Sequence, residues 1–310
     1  MLEFSWYLLE ASLVLSVLYA LYALLLRGET FFGFNRFFLL AIVMISLLAP
    51  LLSWDFVPEK EVVVRRPIEQ VRNMRQGYFE ALGDWYFEAA SSEQESERQV
   101  HTPIIQQWNW KAISIYSLFT IYLLGVMAVW SRLGWMLYGL YALRKKFPSR
   151  EVNHVRVVEL PDRSAPFSFL QTVFVNKEVI GTPAFYQIMA HEQVHIRQRH
   201  SIDLITVQIL AAGLWFHPLV WRLLKSLKTT HEYIADKQMI SSGHSLVEYQ
   251  SLLLSQLISN QSYGLVHNFN LSFIKKRITM MKIKQSGWGG RAKVAVTLSL
   301  AVIVSITLMQ

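Results

Sequence analysis

Four long apolar runs, residues 4–26, 37–52, 113–130 with an apolar continuation to 143, and 294–309, constrain this chain more than any other feature. Hydrocarbon offers no water to satisfy a backbone N–H or C=O, so an isolated run of this kind crosses a bilayer as a helix. About 20 apolar residues are needed for the crossing, and the last run is the shortest of the four. Composition agrees: 53% of the residues are hydrophobic and 17% charged, so much apolar surface must face something other than water. The first run opens on Glu3 instead of a basic segment, and no small-residue cleavage site follows it. That pattern predicts a retained helix, not a signal peptide.

The formal net charge of +8 invites a nucleic-acid reading. The cations, however, gather beside the apolar runs. Arg144, Lys145, Lys146 and Arg150 follow the third, while Lys275, Lys276, Arg277, Lys282, Lys284, Arg291 and Lys293 precede the fourth. Cytoplasmic flanks of membrane helices are enriched in this way, and no recognition motif accompanies the charge, so direct nucleic-acid binding is not expected. Arg27 and Arg36 place the first connection inside and the N-terminus outside. The predicted organisation is a transmembrane hairpin (1–54), an extracytoplasmic loop (55–110), a third transmembrane helix (111–144), a cytosolic domain (145–291) and a closing helix (292–310). The expected placement is multi-pass in a bacterial inner (cytoplasmic) membrane. The outer loop, rich in glutamate, reads as a solvated linker or a sensory segment. Cysteine is absent, which excludes disulfides, thiolate metal sites and cysteine nucleophiles.

Within the cytosolic segment, residues 155–158 read as a short strand and 167–175 as a second, bounded by Pro166 and Asn176. Thr182 and Pro183 open a helix that carries His191-Glu192-Gln193-Val194-His195. Histidines four apart share a helix face, where both can bind one zinc ion. Glu192 then lies beside the ion as a general base for a water whose pKa such an ion lowers to about 7. The competing reading is a helix with two satisfied surface histidines. A third histidine ligand at the usual spacing is missing, since Gln198 and Ser201 stand where glycine and histidine would be. His200, one position off, reads as a surface residue. Glu232, in His231-Glu232-Tyr233-Ile234-Ala235-Asp236, is the better candidate. Asp236 lies four residues on, so one carboxylate can bind metal while the other accepts a ring N–H from a ligand histidine. His231 points about 100° away from Glu232 and is a poor ligand. The stretch 202–224 is apolar enough to cross the membrane, yet a crossing would separate Glu232 from His191. Asp203, Gln208, His217 and Pro218 interrupt it, predicting a helix–bend–helix that returns to the side it left.

Taken together, Pro166-Phe167-Ser168-Phe169-Leu170, the His191–His195 motif, Asp203, Trp215-Phe216-His217-Pro218, Glu232 through Asp236 and Lys276-Arg277-Ile278 resemble the BlaR/MecR type of signal-transducing membrane metallopeptidase. The resemblance to this gluzincin family covers nearly the whole chain. It implies a mainly α membrane protein with an α+β gluzincin-type protease domain and about four transmembrane helices. It implies Zn2+ held by His191, His195 and Glu232, with Glu192 as base and Asp236 supporting a ligand. His217, where many relatives have asparagine, becomes a transition-state donor or a bend residue. The strand carrying Phe167, Phe169, Val173 and Val175 becomes an edge to which a peptide adds. The implied function is zinc-dependent endopeptidase action on a cytosolic protein, such as a DNA-binding repressor, and on the chain itself during transmembrane signalling. Residues 261–283 are a candidate self-cleavage segment. Membrane-protein quality control or maturation, and a non-catalytic receptor or scaffold, are the alternatives. Beyond substrate and lipid bilayer, a separate sensor protein and a homodimer are the partners left open. Ser272-Phe273-Ile274-Lys275 lacks the companion motifs of an acylation site. The sequence reads to Gln310 without a penicillin-binding sensor, so direct β-lactam sensing is not expected.

Overall fold

The computed structural model describes residues 2–51, 110–161, 165–259 and 264–308. The extracytoplasmic loop expected over 55–110 lies outside them except for its last residue. Helix α1 (Leu2–Leu21) continues through a π-helical turn, Tyr22–Leu26, and α2 is Phe32–Leu48. α2 starts earlier than its apolar run because the Asn35 carboxamide donates back to the Leu26 carbonyl at 3.0 Å, tying its first turn to the π-helical turn. Helix α3 (Trp110–Lys146) ends in Arg144, Lys145 and Lys146.

A four-stranded sheet follows α3 directly: β1 (Ser149–Val152), β2 (Val155–Leu160), β3 (Phe167–Phe169) and β4 (Thr172–Asn176). Its order is β1-β2-β4-β3, with β2 and β4 parallel and the outer pairings antiparallel. Strand alternation divides its side chains between two faces. Val157, Val173 and Val175 pack on Phe185 and Met189, while Val158, Leu160 and Phe174 pack on Leu143 and Phe147 at the end of α3. The run expected as one strand over 167–175 is therefore a hairpin. Leu170 takes φ 51 at the turn, and Ser168 pairs with Val173. Phe167 and Phe169 lie on the edge strand, but Val173 and Val175 are fully buried on β4 between β2 and β3, so they are not edge residues.

Helix α4 (Pro183–Arg197) carries the histidine motif, with Pro183 at its first position. A tight connection leads to α5 (His200–Ala211), a 3-10 turn at Ala212–Leu214, and then α6 (Pro218–Ser241). α5 and α6 pack on each other and on α2. Leu214, Val220, Leu223 and Leu227 share one buried cluster with Leu15, Leu18, Leu39 and Ile42 of the first two helices. The stretch 202–224 is thus a bent helix pair with one face packed on the first two helices, and it brings Glu232 back to α4. Helices α7 (Leu246–Ser259) and α8 (Gly264–Lys282) pack together, α8 also against α6. α9 (Trp288–Leu308) packs on α1. It begins before its apolar run because Lys293 in its early turns is paired with Glu29 at 2.6 Å. Phe4–Leu26, Phe32–Leu51, Ile113–Lys146 and Trp288–Thr307 are each long and apolar enough to cross a membrane.

Candidate metal centre

His191 and His195 lie one turn apart on α4, and α6 delivers Glu232 opposite them. The three offer ligand atoms within 4.8 Å of one another. The two Nε2 atoms are 3.1 Å apart, and the Glu232 oxygens lie 3.6 Å from His191 Nε2 and 3.7 Å from His195 Nε2. Ligand bonds of 2.0–2.1 Å in a tetrahedron put neighbouring donors about 3.3–3.4 Å apart. These separations fit that edge length, and two imidazoles plus one carboxylate are a donor set suited to a borderline divalent ion with one position left open.

The ring nitrogens facing away from the cluster are also occupied. Tyr249 of α7 donates its hydroxyl proton to Asp236 Oδ1 at 2.7 Å, so its oxygen accepts from His191 Nδ1 at 2.8 Å. This tautomer leaves the His191 Nε2 lone pair directed at the cluster. Asp236 was expected to take the histidine N–H itself. Its carboxylate is instead 3.9 Å from His191 Nδ1, with Tyr249 between them. The reason is Arg277 of α8, which occupies both Asp236 oxygens (Nε–Oδ2 2.9 Å, Nη2–Oδ1 2.5 Å) and reaches Glu232 Oε2 at 2.8 Å. Arg277 thereby orients the Glu232 carboxylate. Burial alone would raise the Glu232 pKa, but Arg277 and the two histidines more than offset it and hold the carboxylate ionised, well below its usual range.

His195 Nδ1 meets His200 Nδ1 at 2.8 Å. His200 is buried, not exposed as its position off the third-histidine spacing implied. The connection between α4 and α5 turns through Arg199 at φ 55, which folds α5 back so that His200 faces α4. Its ring stacks on His231, 8° from parallel with centroids 3.9 Å apart. His231 in turn bonds Asp203 at 2.9 Å, and Asp203 is paired with Arg36 of α2 at 2.6 Å. Tyr249 was not found from sequence. Arg277, His200 and Arg36 were noticed there only as part of the Lys276-Arg277-Ile278 run, as a surface residue and as a topology marker, because none has metal-ligand spacing of its own. Asp203 was singled out, though without its partner.

Glu192 is buried next to His191, and burial pushes its carboxyl pKa up from 4.5, the direction a base working near neutral pH needs. Ser168, on the sheet face that meets α4, lies near enough to that carboxylate to offset part of the rise. Glu192 thus lies beside β3, whose outer edge carries no strand among the described residues.

His217 does not join this cluster. It caps α6, accepting from Leu219 N at 3.3 Å, and its Nε2 meets Ser16 Oγ at 3.3 Å. About 22 Å of helix separates it from Glu232, so its imidazole serves the bend. Residues 264–282 of the candidate self-cleavage segment form α8, and 261–263 lie outside the described residues.

Residues 182–281 match the family described as BlaR1 peptidase M56. The match spans about a third of the chain, from the opening of α4 to the end of α8, and takes in all three candidate ligands. No curated protein matches the chain significantly. The match supports a BlaR1/MecR-type metallopeptidase, and with four apolar helices it supports a membrane-associated one.

Proposed function

From the similarity of residues 182–281 to the BlaR1 peptidase M56 family, we propose that this chain is a zinc-dependent endopeptidase of the inner membrane that cleaves a protein on the cytosolic side. One observation carries the reading: His191, His195 and Glu232 converge with Glu192 beside an open strand edge. When bound, zinc polarises a carbonyl and makes water a stronger acid. The chain's own residues do the rest. Tyr249 and His200 hold the two imidazoles in one tautomer, and Arg277 aims the Glu232 carboxylate. Glu192 takes a proton from the attacking water and delivers it to the leaving amine. An extended substrate pairs with β3 through main-chain hydrogen bonds. A bond within α8 has to leave its helix before such a site can take it.

A cytosolic transcriptional repressor, and the chain itself, are the substrates proposed, in the service of transmembrane signalling. The lipid bilayer and a separate sensor protein are proposed partners. The test is Glu192→Gln, which removes the base and keeps its size. Peptide cleavage should fall by about 10²–10⁴-fold, a positioned base's usual contribution, while bound zinc stays at the wild-type level. A variant that still cleaves at the wild-type rate would end the assignment. Used as a substrate trap in cells, the same variant should retain a DNA-binding protein. Retention of misfolded membrane proteins would favour quality control instead.

A further inference from the structure

Arg36 is a cation on a helix long and apolar enough to cross a membrane, yet it is buried against the protease helices. Its Nε and Nη2 grip the two Asp203 oxygens at 2.6 and 3.2 Å, and Nη1 and Nη2 reach the side-chain and main-chain oxygens of Gln198 at 3.1 and 2.6 Å. A bidentate guanidinium pair of this kind fixes orientation as well as distance. Asp203 Oδ2 also takes the ring of His231, whose other face carries the His200 ring, and His200 Nδ1 meets His195 Nδ1. A continuous set of directed contacts therefore runs from α2 to a metal-ligand candidate.

Packing alone does not explain the histidine at position 200. Its Nε2 is buried without a hydrogen-bond partner among the described residues, as is Nδ1 of His231. A buried polar atom without a partner is disfavoured, and phenylalanine would stack without one. What an imidazole supplies there is Nδ1, the acceptor for the His195 ring N–H. With that proton fixed, His195 presents its Nε2 lone pair to His191 and Glu232.

We propose that His200 is a positioning residue for His195 and that Arg36 holds it in place, so that the seating of α2 against α5 and α6 sets the affinity of the metal centre. The inference rests on His191, His195 and Glu232 being metal ligands. It makes a membrane helix part of the centre's support, a place where a movement across the bilayer acts on the site.

The full-length protein, stripped of metal in lipid nanodiscs, is titrated with Zn2+ against a chelating indicator and with Co2+ followed by its visible absorption. His200→Phe keeps the stack and removes the acceptor. Arg36→Gln removes the charge on Asp203. Each should weaken both ions by roughly 10–100-fold and alter the cobalt spectrum, the usual effect of losing a partner behind a ligand. The double variant should lose little more than the weaker-binding single one, because both act on one coupled path. His200→Gln, which restores an acceptor, and Arg36→Lys, which restores the charge, should recover part of the loss. Wild-type cobalt binding in Arg36→Gln, or losses that multiply independently, would overturn the proposal. If the wild type binds neither ion, or His195→Ala binds both as tightly as wild type, the metal-centre reading itself falls and this inference with it.

Discussion

At the residue scale, the candidate metal centre holds its two histidines in different protonation states. Burial pushes the His195 pKa down to about 4, so its imidazole is neutral and ready to bind. Burial acts the same way on His191, but the adjacent Glu232 carboxylate more than offsets it and raises the pKa above 6.5. A metal needs the neutral ring, so below that raised value it must displace a proton from His191. Metal affinity should therefore fall as pH drops through the raised His191 pKa, by about tenfold per unit for the single proton released. Zinc competition titrations across a pH series check this. A flat profile through neutrality would show that His191 is already neutral in the metal-free protein. The motif from His191 to His195 was legible in the sequence because one helix face holds it. Tyr249 was not, and Arg277 was noticed without its role, because a lone tyrosine and one arginine in a basic run carry no spacing signal.

At the element scale, the bent α5–α6 pair was legible from polar interruptions in an apolar stretch, although its neighbours were not. α3 crosses its tip closely. Tyr122 donates to the Gly213 carbonyl at 3.0 Å, Trp215 donates to the Tyr122 carbonyl at 3.2 Å, and Trp130 donates to the Ile209 carbonyl at 3.3 Å. Gly125 is what permits this approach: a Cβ there would lie 2.1 Å from the Trp215 indole. Alanine is the better helix former by about 1 kcal/mol, but a clash with a rigid ring outweighs that. Gly125→Ala should destabilise the protein by about 1–3 kcal/mol, the usual range for overpacking, with a lower unfolding temperature in nanodiscs. A variant as stable as wild type would mean that α3 is not seated on the tip. The 167–175 hairpin was illegible for a related reason. Its residues are all strand formers, and the turn is made by Leu170 at positive φ, a conformation no residue type there announces.

At the scale of the whole molecule, the distribution of cations predicts an N-terminus outside and the metal centre inside. The absence of cysteine makes the test clean. In intact cells, Ser96→Cys should react with an impermeant maleimide, whereas Ser242→Cys should react only after permeabilisation. The reverse pattern would turn the protein over and move its substrates to the other compartment. By itself the sequence located the apolar runs, the two candidate ligand histidines with Glu192 between them, and Glu232 as a candidate partner from a distant helix, because each is written in periodicity along one segment. Tertiary structure alone decided that Tyr249 separates Asp236 from His191, that Arg277 locks both carboxylates, and that α2, apolar enough to cross a membrane, reaches His195 through Arg36, Asp203, His231 and His200. Those contacts join segments far apart in the chain, and only the packing of the helices on one another sets their distances.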